Sequence, residues 1–261
     1  MTLVTVALVQ VAVNDAEAVD ERIDRVLELT EDTAQDADLV VLPELWHIGA
    51  FALSLARENA QTLAGSIVTR MQAVARRQGT WIHAGSIVEA SGDGRFFNAS
   101  VLINPEGEIA AVYRKVHLFG FDAGETTVMS AGEELVVVDT AVGSTGLATC
   151  YDLRFPELFR SLMAQDAQAF VISSGWPIAR ISHWSLLARA RAVENQAYVF
   201  ACNEAGRHAG VTLGGRSVIV DPTGDVLAEA STDEEVIAAT IDLDVVTQWR
   251  RDFPVLADRR L

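Results

Sequence analysis

The first residue with chemical potential is a cysteine that follows a predicted strand. Cys150 comes directly after the apolar residues 146–149 and precedes a predicted helix with Pro156 in its first turn. A thiol at such a turn is exposed, and backbone N–H groups at the start of a helix can face a reacting oxygen. Most free cysteines are small buried core residues instead, so position alone leaves both interpretations open. Cys202, inside the apolar run 198–202, is expected to be a core residue.

A single lysine is the second feature. Of the 20 basic residues, only Lys115 is not an arginine. Because the chain otherwise uses arginine throughout, the lysine at position 115 indicates a site that needs a compact, flexible ammonium group. The alternative is a chance surface lysine in an arginine-biased genome. The apolar flanks and the strand-end position favour the functional interpretation.

Two carboxylates complete the candidates. Glu44 follows four apolar residues and Pro43 at the end of a predicted strand. Partial desolvation there would raise the pKa of its carboxyl toward the range useful for a general base, although a solvated loop glutamate is the plain alternative. Glu125 lies in an irregular, glycine-bearing segment after Lys115. Taken alone, it is expected to be a surface residue.

The sequence contains no pattern for a metal or a nucleotide cofactor. The histidines show no metal-ligand spacing, and the two cysteines do not form a Cys-x-x-Cys pair. No glycine segment matches a phosphate loop or a dinucleotide fingerprint. We therefore expect no metal and no cofactor. A Cys–His pair with His117 or His183 as the base stays open.

Alternating and helical patterns of apolar residues indicate the elements that must position these side chains. The predicted helices cover residues 16–34 and 66–77, a segment that begins near 155–157, and residues 183–195. The predicted strands cover residues 3–13, 38–42, 81–88, 96–103, 109–113, 135–138, 146–149, 169–173, 198–201, 216–220, 226–230 and 236–241. Many strands and about four helices predict an α/β fold, a four-layer α-β-β-α sandwich, in one domain spanning residues 1–261.

Composition and charge exclude several classes of protein. Half of the 261 residues are hydrophobic, which argues against disorder. The apolar N-terminal stretch lacks a preceding basic residue and reads as a buried strand, not as an export signal or a membrane span. The net charge of -16 repels nucleic acid and anionic membrane surfaces. Two free thiols without an export signal are expected in the cytoplasm, a reducing compartment.

Several segments together resemble the nitrilase (carbon–nitrogen hydrolase) superfamily. Three of them carry the candidate residues in the order Glu, Lys, Cys: residues 42–44 (LPE), 113–119 (YRKVHLF) and 150–157 (CYDLRFPE). Residues 183–195 and 215–222 (GRSVIVDP) add further similarity. The resemblance therefore covers nearly the whole chain. The segment CYDLRFPE is similar to the amidase branch called Nit, which includes ω-amidases and deaminated-glutathione amidases.

The resemblance implies a reaction and a set of catalytic roles. It implies that Cys150 is the nucleophile, Glu44 the general base and Lys115 the cation beside the developing oxyanion. Glu125 is the best match to the family's second glutamate, and Glu133 and Glu134 are poorer matches. The expected reaction is hydrolysis of a small linear carboxamide to a carboxylate and ammonia through a thioester. The resemblance also implies an α-β-β-α sandwich that forms a homodimer or a higher homo-oligomer.

Substrate-binding residues follow from the same resemblance. Tyr151, Trp176 and Phe121 are expected to form the acyl pocket, and Arg154 to pair with a substrate carboxylate. An ion pair of Arg154 with Glu157 or Asp152 is the alternative expectation.

The chain departs from the Nit pattern at two places that flank the expected pocket. Phe119-Gly120-Phe121 replaces a more usual Phe-Asp, and Gly175 stands where Asn or Ala is common. Tyr151-Asp152 in place of Trp-Glu favours an amide over a nitrile. A carbamoylase, a nitrile hydrolase and a non-catalytic member that binds a small carboxylate or amide remain alternatives. The intact set of two glutamates, lysine and cysteine argues against the last.

Overall fold

The computed structural model of the chain describes residues 2–120 and 124–260. The helices are Val19–Ala34 (α1), Ser66–Gln78 (α2), Pro156–Met163 (α3), Ile181–Asn195 (α4) and Asp244–Asp252 (α5). The strands are Leu3–Gln10 (β1), Ala12–Asn14 (β2), Leu39–Val41 (β3), Trp81–Ala90 (β4), Phe96–Ile103 (β5), Ile109–Arg114 (β6), Val137–Thr140 (β7), Gly143–Thr149 (β8), Ala169–Ser174 (β9), Tyr198–Asn203 (β10), Ala205–His208 (β11), Val211–Thr212 (β12), Val218–Val220 (β13), Val226–Glu229 (β14) and Glu235–Asp242 (β15). Short 3-10 helices cover Leu53–Leu55, Glu125–Thr127, Cys150–Arg154 and Ile178–Arg180.

In the described part of the chain, two six-stranded sheets form the centre of the fold. The first has the order β15-β1-β3-β4-β5-β6, and the second has the order β14-β13-β10-β9-β8-β7. Their inner faces pack on each other, with Leu8 and Val41 of one sheet in the same buried cluster as Val171 and Phe200 of the other. Both faces of each sheet are buried, which explains why the central strands read as continuous apolar runs.

Helices cover the outer faces of both sheets. Val26 of α1 and Met71 of α2 share a buried cluster with Val40 of β3. Phe159 of α3 and Ala188 of α4 pack in another cluster with Ile172 of β9. The layers are therefore helix, sheet, sheet and helix, which confirms the predicted four-layer sandwich.

Most predicted elements are present with shifted ends. Helix α1 begins at Val19, because Ala18 is extended with ψ of 151° and serves as the N-cap. Helix α2 ends at Gln78, where Gly79 adopts the left-handed conformation with φ of 66°. Helix α3 begins at Pro156, as predicted, because proline suits the first helical position.

The prediction of one strand over residues 3–13 was wrong. The chain leaves the first sheet after Gln10, and β2 then pairs with β11 in a small three-stranded sheet. Gln10 itself accepts hydrogen bonds from the backbone N–H and the hydroxyl of Ser217, both at 2.8 Å. Strands β11 and β12 and helix α5 were missed. Polar and glycine residues in β11 and a length of two residues in β12 hide the periodicity of these two strands.

The strand ends determine where the candidate side chains lie. Strands β8, β9 and β10 run parallel, as do β1, β3 and β4. Cys150 follows β8, Gly175 follows β9, and Glu44 lies three residues past β3. Since the carboxyl ends of parallel strands meet at the same edge of a sheet, Cys150 and Gly175 lie together at one edge of the second sheet. Glu44 belongs to the first sheet, and its N–H donates to the Ser174 carbonyl at the end of β9 at 3.4 Å, which brings it to the same place. None of the helices in residues 2–120 and 124–260 combines the length and apolar character that a membrane span requires.

Candidate active site

Cys150 begins the 3-10 helix that follows β8. Its backbone has a φ of 48°, in the left-handed region that residues other than glycine rarely adopt. Such a conformation costs on the order of 1 kcal/mol and persists only where surrounding contacts hold it. The residue is partly buried, between the exposed turn and the buried core position that the sequence left open.

Asp152 supplies contacts that hold this turn. Its Oδ2 accepts hydrogen bonds from the Thr149 N–H at 2.9 Å and from the Tyr113 hydroxyl at 2.7 Å. Its Oδ1 accepts the backbone N–H of His117 at 3.0 Å. One buried carboxylate thus joins both sides of Cys150 to the segment that carries Lys115.

Lys115 connects the two candidate carboxylates. Its Nζ donates to Glu44 Oε1 at 2.6 Å and to Glu125 Oε2 at 2.7 Å, and the lysine is 1% exposed. Burial lowers the pKa of Lys115, but the charges of Glu125 and Glu44 outweigh that effect, so the pKa lies well above its usual value. Burial raises the pKa of Glu125, while the charge of Lys115 acts in the opposite direction. The two glutamates are buried, so their solvated-surface interpretations were wrong.

Asn98 on β5 is a member of this cluster that the sequence reasoning missed. Its Nδ2 donates to Glu44 Oε1 at 2.8 Å and to Glu125 Oε1 at 2.7 Å. Its backbone carbonyl accepts the Lys115 N–H at 2.9 Å. An asparagine in the largely apolar segment FFNASVLI was the signal that could have revealed it. Asn98 and Lys115 together hold the two glutamates in one geometry.

The thiol of Cys150 and the carboxyl of Glu44 line the same cavity. Burial raises the pKa of the thiol well above the usual value, and the charge of Glu44 and a hydrogen bond to the Glu44 carboxyl raise it further. Lys115 and the Gly175 N–H lower it. The same Gly175 N–H donates to Glu44 Oε2 at 3.0 Å. Glu44 is therefore in place to take the proton of the Cys150 thiol during the reaction.

The structure also shows what surrounds the two histidines considered as alternative bases and the second cysteine. His117 Nδ1 lies 2.8 Å from Asp152, and the ring of His117 stacks on Phe155. His183 meets the guanidinium of Arg154 at 3.5 Å. Both histidines are thus engaged with groups other than the Cys150 thiol. Cys202 is fully buried and its thiol donates to the Val9 carbonyl at 3.3 Å, which confirms its core position.

A cavity of about 170 Å³ opens onto Glu44, Lys115, Glu125 and Cys150. Its lining comprises Glu44, Ala50, Phe51, Leu53, Lys115, Phe119, Gly120, Gly124, Glu125, Cys150 and Gly175. Tyr151, Trp176, Arg154 and Arg180 line an adjoining hollow beside Cys150. The predicted pocket residues Tyr151 and Trp176 are thus near the thiol, whereas Phe121 lies outside the described residues.

Two arginines stand at this hollow. The Arg154 guanidinium lies over the Trp176 ring, 4.7 Å from its centroid, and forms no ion pair with any described residue. The expected pair with Glu157 or Asp152 was therefore wrong, because Asp152 is engaged with the Cys150 turn. Arg180, which the sequence reasoning missed, lies over Phe119 at 5.5 Å and likewise pairs with no carboxylate in the described part of the chain.

No cluster of histidine, cysteine and acidic side chains suited to a metal ion occurs among residues 2–120 and 124–260. The acidic side chains of the site bond to Lys115, Asn98 and backbone N–H groups. The arrangement therefore offers a thiol, a base and a cation around one cavity. That set of groups can perform nucleophilic catalysis on a carbonyl.

Comparisons with known proteins agree with this fold and site. The family model described as Carbon-nitrogen hydrolase matches residues 5–251, and the chain belongs to this family. It is 45% identical to the 2-oxoglutaramate amidase of Paenarthrobacter nicotinovorans over 262 residues, which cover 98% of this chain and 89% of that protein. It is 38% identical to the 2-oxoglutaramate amidase of Bacillus subtilis (strain 168), covering 88% of each chain.

A solved structure shows the same likeness. The crystal structure of Nit3 of Saccharomyces cerevisiae, described as a member of branch 10 of the nitrilase superfamily, superposes with a TM-score of 0.90. The sequences are 31% identical, and the match covers 100% of this chain and 97% of that one. The resemblance to the nitrilase superfamily and the α/β fold are thereby confirmed.

Proposed function

We propose that this chain is a thiol amidase that hydrolyses a small linear carboxamide to a carboxylate and ammonia through a thioester on Cys150. The observation that carries the proposal is the convergence of Cys150, Glu44, Lys115 and Glu125 on one cavity. Within it, the Glu44 carboxylate is held by Lys115 at 2.6 Å and Asn98 at 2.8 Å. The matching family and the amidase names of the relatives support it.

Acylation begins when Glu44 takes the proton of Cys150. The sulfur attacks the amide carbonyl carbon, and the carbonyl oxygen gains negative charge. Lys115 and the backbone N–H of Tyr151 stabilise this charge, and each such donor is worth about 3 kcal/mol. The C–N bond then breaks, Glu44 returns its proton to the leaving nitrogen, and ammonia departs from the thioester.

Hydrolysis of the thioester repeats these steps with water. Glu44 takes a proton from the water, whose oxygen attacks the thioester carbonyl. The C–S bond breaks, the sulfur recovers the proton, and the carboxylic acid product leaves. Glu125 accepts bonds from Lys115, Asn98 and the Phe119 N–H, the last at 2.7 Å. We assign it the role of orienting the substrate amide or the attacking water.

The two arginines at the hollow point to a substrate with a carboxylate at the end opposite the amide. Arg154 and Arg180 line the hollow that also contains Cys150. Neither arginine pairs with a carboxylate among residues 2–120 and 124–260, and an arginine beside an apolar pocket is suited to bind a carboxylate of a ligand. An ω-amide of a dicarboxylic acid, such as 2-oxoglutaramate, offers a carboxamide to Cys150 and a carboxylate to these arginines. Both relatives reported above are named for that compound.

The test is ammonia release from a panel of compounds. Short aliphatic amides, ω-amides of dicarboxylic acids, N-carbamoyl compounds and nitriles are compared, with Cys150→Ala as the inactive control. We expect release from ω-amides, lost in the Cys150 variant. Arg154→Gln and Arg180→Gln should each raise KM for ω-amides about tenfold and leave uncharged amides unaffected, because a hydrogen bond to a charged group is worth about 1.5–3 kcal/mol. Arg77→Gln on α2 is the matched control.

Other outcomes would replace the proposal. Carbon dioxide released with ammonia from N-carbamoyl compounds would identify a carbamoylase, and consumption of nitriles a nitrile hydrolase. No release from any class would favour a non-catalytic member that binds a small carboxylate or amide. Turnover by the Cys150→Ala variant would exclude the thioester route.

We also propose that the chain forms a homodimer in the cytoplasm. Helix α4 exposes Leu186 at 68% and Val193 at 50%, and both lie on one face with Ala190 at helical spacing. An exposed apolar helix face of this kind is typical of an interface, and a second copy is the partner that the resemblance implies. Two unpaired thiols, one of them the nucleophile, suit a reducing compartment.

A further inference from the structure

Gly175 lies between two buried carboxylates, and only one of them belongs to the proposed machinery. Its N–H donates to Glu44 Oε2 at 3.0 Å on the catalytic side. On its other side, a Cβ atom at Gly175 would lie 2.8 Å from Glu204 Oε2 and 2.1 Å from the Cβ of Ala50. Glu204 and Ala50 thus fill the place of a side chain at Gly175, which explains why glycine stands here.

Glu204 is fully buried and connects three segments of the site. Its Oε2 accepts the Ala50 N–H at 3.2 Å. Its backbone N–H donates to the Ser174 carbonyl at 3.0 Å, and the same carbonyl accepts the N–H of Glu44 at 3.4 Å. Both Ala50 and Gly175 line the cavity beside Cys150. One side chain therefore supports two walls of the cavity from behind.

His208 contacts Glu204 and the backbone segment that forms part of the cavity wall. Its Nε2 lies 3.6 Å from Glu204 Oε2, and its ring occupies the space beside Gly49, where a Cβ would lie 2.4 Å from the ring. The ring also lies 6.3 Å from that of Phe51, a residue of the cavity wall. Burial raises the pKa of Glu204, and His208 acts in the opposite direction. The backbone of residues 49–51 is thus held between the cavity and the Glu204–His208 pair.

We infer that Glu204 is a positioning residue for the proposed reaction, which holds Gly175 and Ala50 so that the Gly175 N–H stays bonded to Glu44 beside Cys150. The inference rests on the proposed function. We expect Glu204 to hold the cavity wall through the volume of its side chain and through the oxygen that accepts the Ala50 N–H, because these are its contacts with the wall. A side chain of the same shape without charge should therefore serve.

The first test compares Glu204→Ala with Glu204→Gln. The alanine variant should lower kcat for the best amide at least 20-fold with KM within threefold of wild type, since the alignment of base and nucleophile is lost while the arginines stay. The glutamine variant keeps the shape and an acceptor, so its kcat should stay within threefold of wild type. Glu89→Gln, a buried carboxylate paired with Arg114 at 2.7 Å, is the matched control.

The second readout needs no substrate. Iodoacetamide labelling of Cys150, followed by peptide mass spectrometry, reports the alignment of the thiol with Glu44. We expect at least tenfold slower labelling in Glu204→Ala and a change within threefold in Glu204→Gln. Wild-type protein that labels at Cys150 but hydrolyses no amide would defeat the proposed function alone. Labelling of Glu204→Ala within threefold of wild type would overturn the present inference alone.

Further results would also overturn it. A glutamine variant as impaired as the alanine variant would mean that charge, not position, matters, and a loss confined to KM would place Glu204 in substrate binding. If Glu204→Ala does not fold, Gly175→Ala replaces it, because its Cβ must displace Ala50 and Glu204. We expect at least a 20-fold loss of kcat, with at least fivefold recovery on adding Ala50→Gly. An active Gly175→Ala variant would overturn the inference.

Discussion

Replacement of Lys115 by arginine tests whether the site needs an ammonium group in particular. The side chain is 1% exposed, and its Nζ contacts Glu44 at 2.6 Å and Glu125 at 2.7 Å. A guanidinium keeps the charge but is larger and planar, so it cannot place one donor at the same point between the two carboxylates. Forcing extra atoms into a packed site costs about 1–3 kcal/mol of folding stability. The protein should fold with reduced stability.

The effect on activity follows from the lost donor to the oxyanion. Loss of one such donor costs about 3 kcal/mol, which at about 1.4 kcal/mol per tenfold is a decrease of roughly 100-fold in kcat/KM. Lys115→Met should be at least as inactive and less stable by about 3–5 kcal/mol, because it leaves two buried carboxylates without a cation. Both are measured by ammonia release and by urea unfolding.

The matched control is Arg114→Lys, the converse exchange at the preceding residue. The Arg114 side chain contacts Glu89 outside the cavity, so this variant should keep kcat/KM within about twofold of wild type. Lys115→Arg with a rate within fivefold of wild type would refute the reasoning from the single lysine. It would mean that charge alone, without the compact shape of the ammonium, satisfies the site.

Two further predictions concern stability and assembly. Burial lowers the pKa of His83 to about 4, so below about pH 6.5 the unfolded chain binds more protons than the folded chain, and the free energy of unfolding falls as pH falls toward 4. At pH 5 this loss is about 2 kcal/mol. In wild type, the free energy of unfolding in urea should therefore fall between pH 7 and pH 5, and in His83→Leu that fall should be about 2 kcal/mol smaller. An equal fall in both proteins would contradict the prediction. Leu186→Glu on α4 should convert the dimer to a monomer in sedimentation velocity, whereas Leu3→Glu, also exposed, should not; a wild-type monomer would defeat the dimer proposal.

Local sequence patterns were sufficient for the elements that present the nucleophile. The apolar run of β8, the thiol at its end and Pro156 in the following helix are neighbours in the chain, so their relation is visible without the fold. The single lysine was visible through composition alone. The positions of Cys150, Glu44 and Lys115 at strand ends were predicted, and the structure brings all three to one cavity.

Residues whose roles depend on distant segments were missed or misjudged. Asn98 reads as a polar residue within a strand until β5 is placed between Glu44 and Glu125, which are 54 positions before and 27 positions after it. Glu125 read as a surface residue, and Arg154 was expected to pair with an acidic neighbour. In both cases the deciding partners come from other elements, and a pattern of nearby residues does not report on them.

The sequence by itself determined the layers and the chemical types at the site, because apolar periodicity decides which faces are buried and because a thiol, a carboxylate and an ammonium keep their chemistry in any fold. Only the tertiary structure decided which groups contact these side chains and in which direction their pKa values shift. The charges of Glu44 and Glu125 raise the pKa of Lys115 only where packing removes water and brings them within hydrogen-bond distance. Gly175 shows the same dependence: its lack of a side chain makes sense only when Glu204 and Ala50, far apart in sequence, occupy the space beside it.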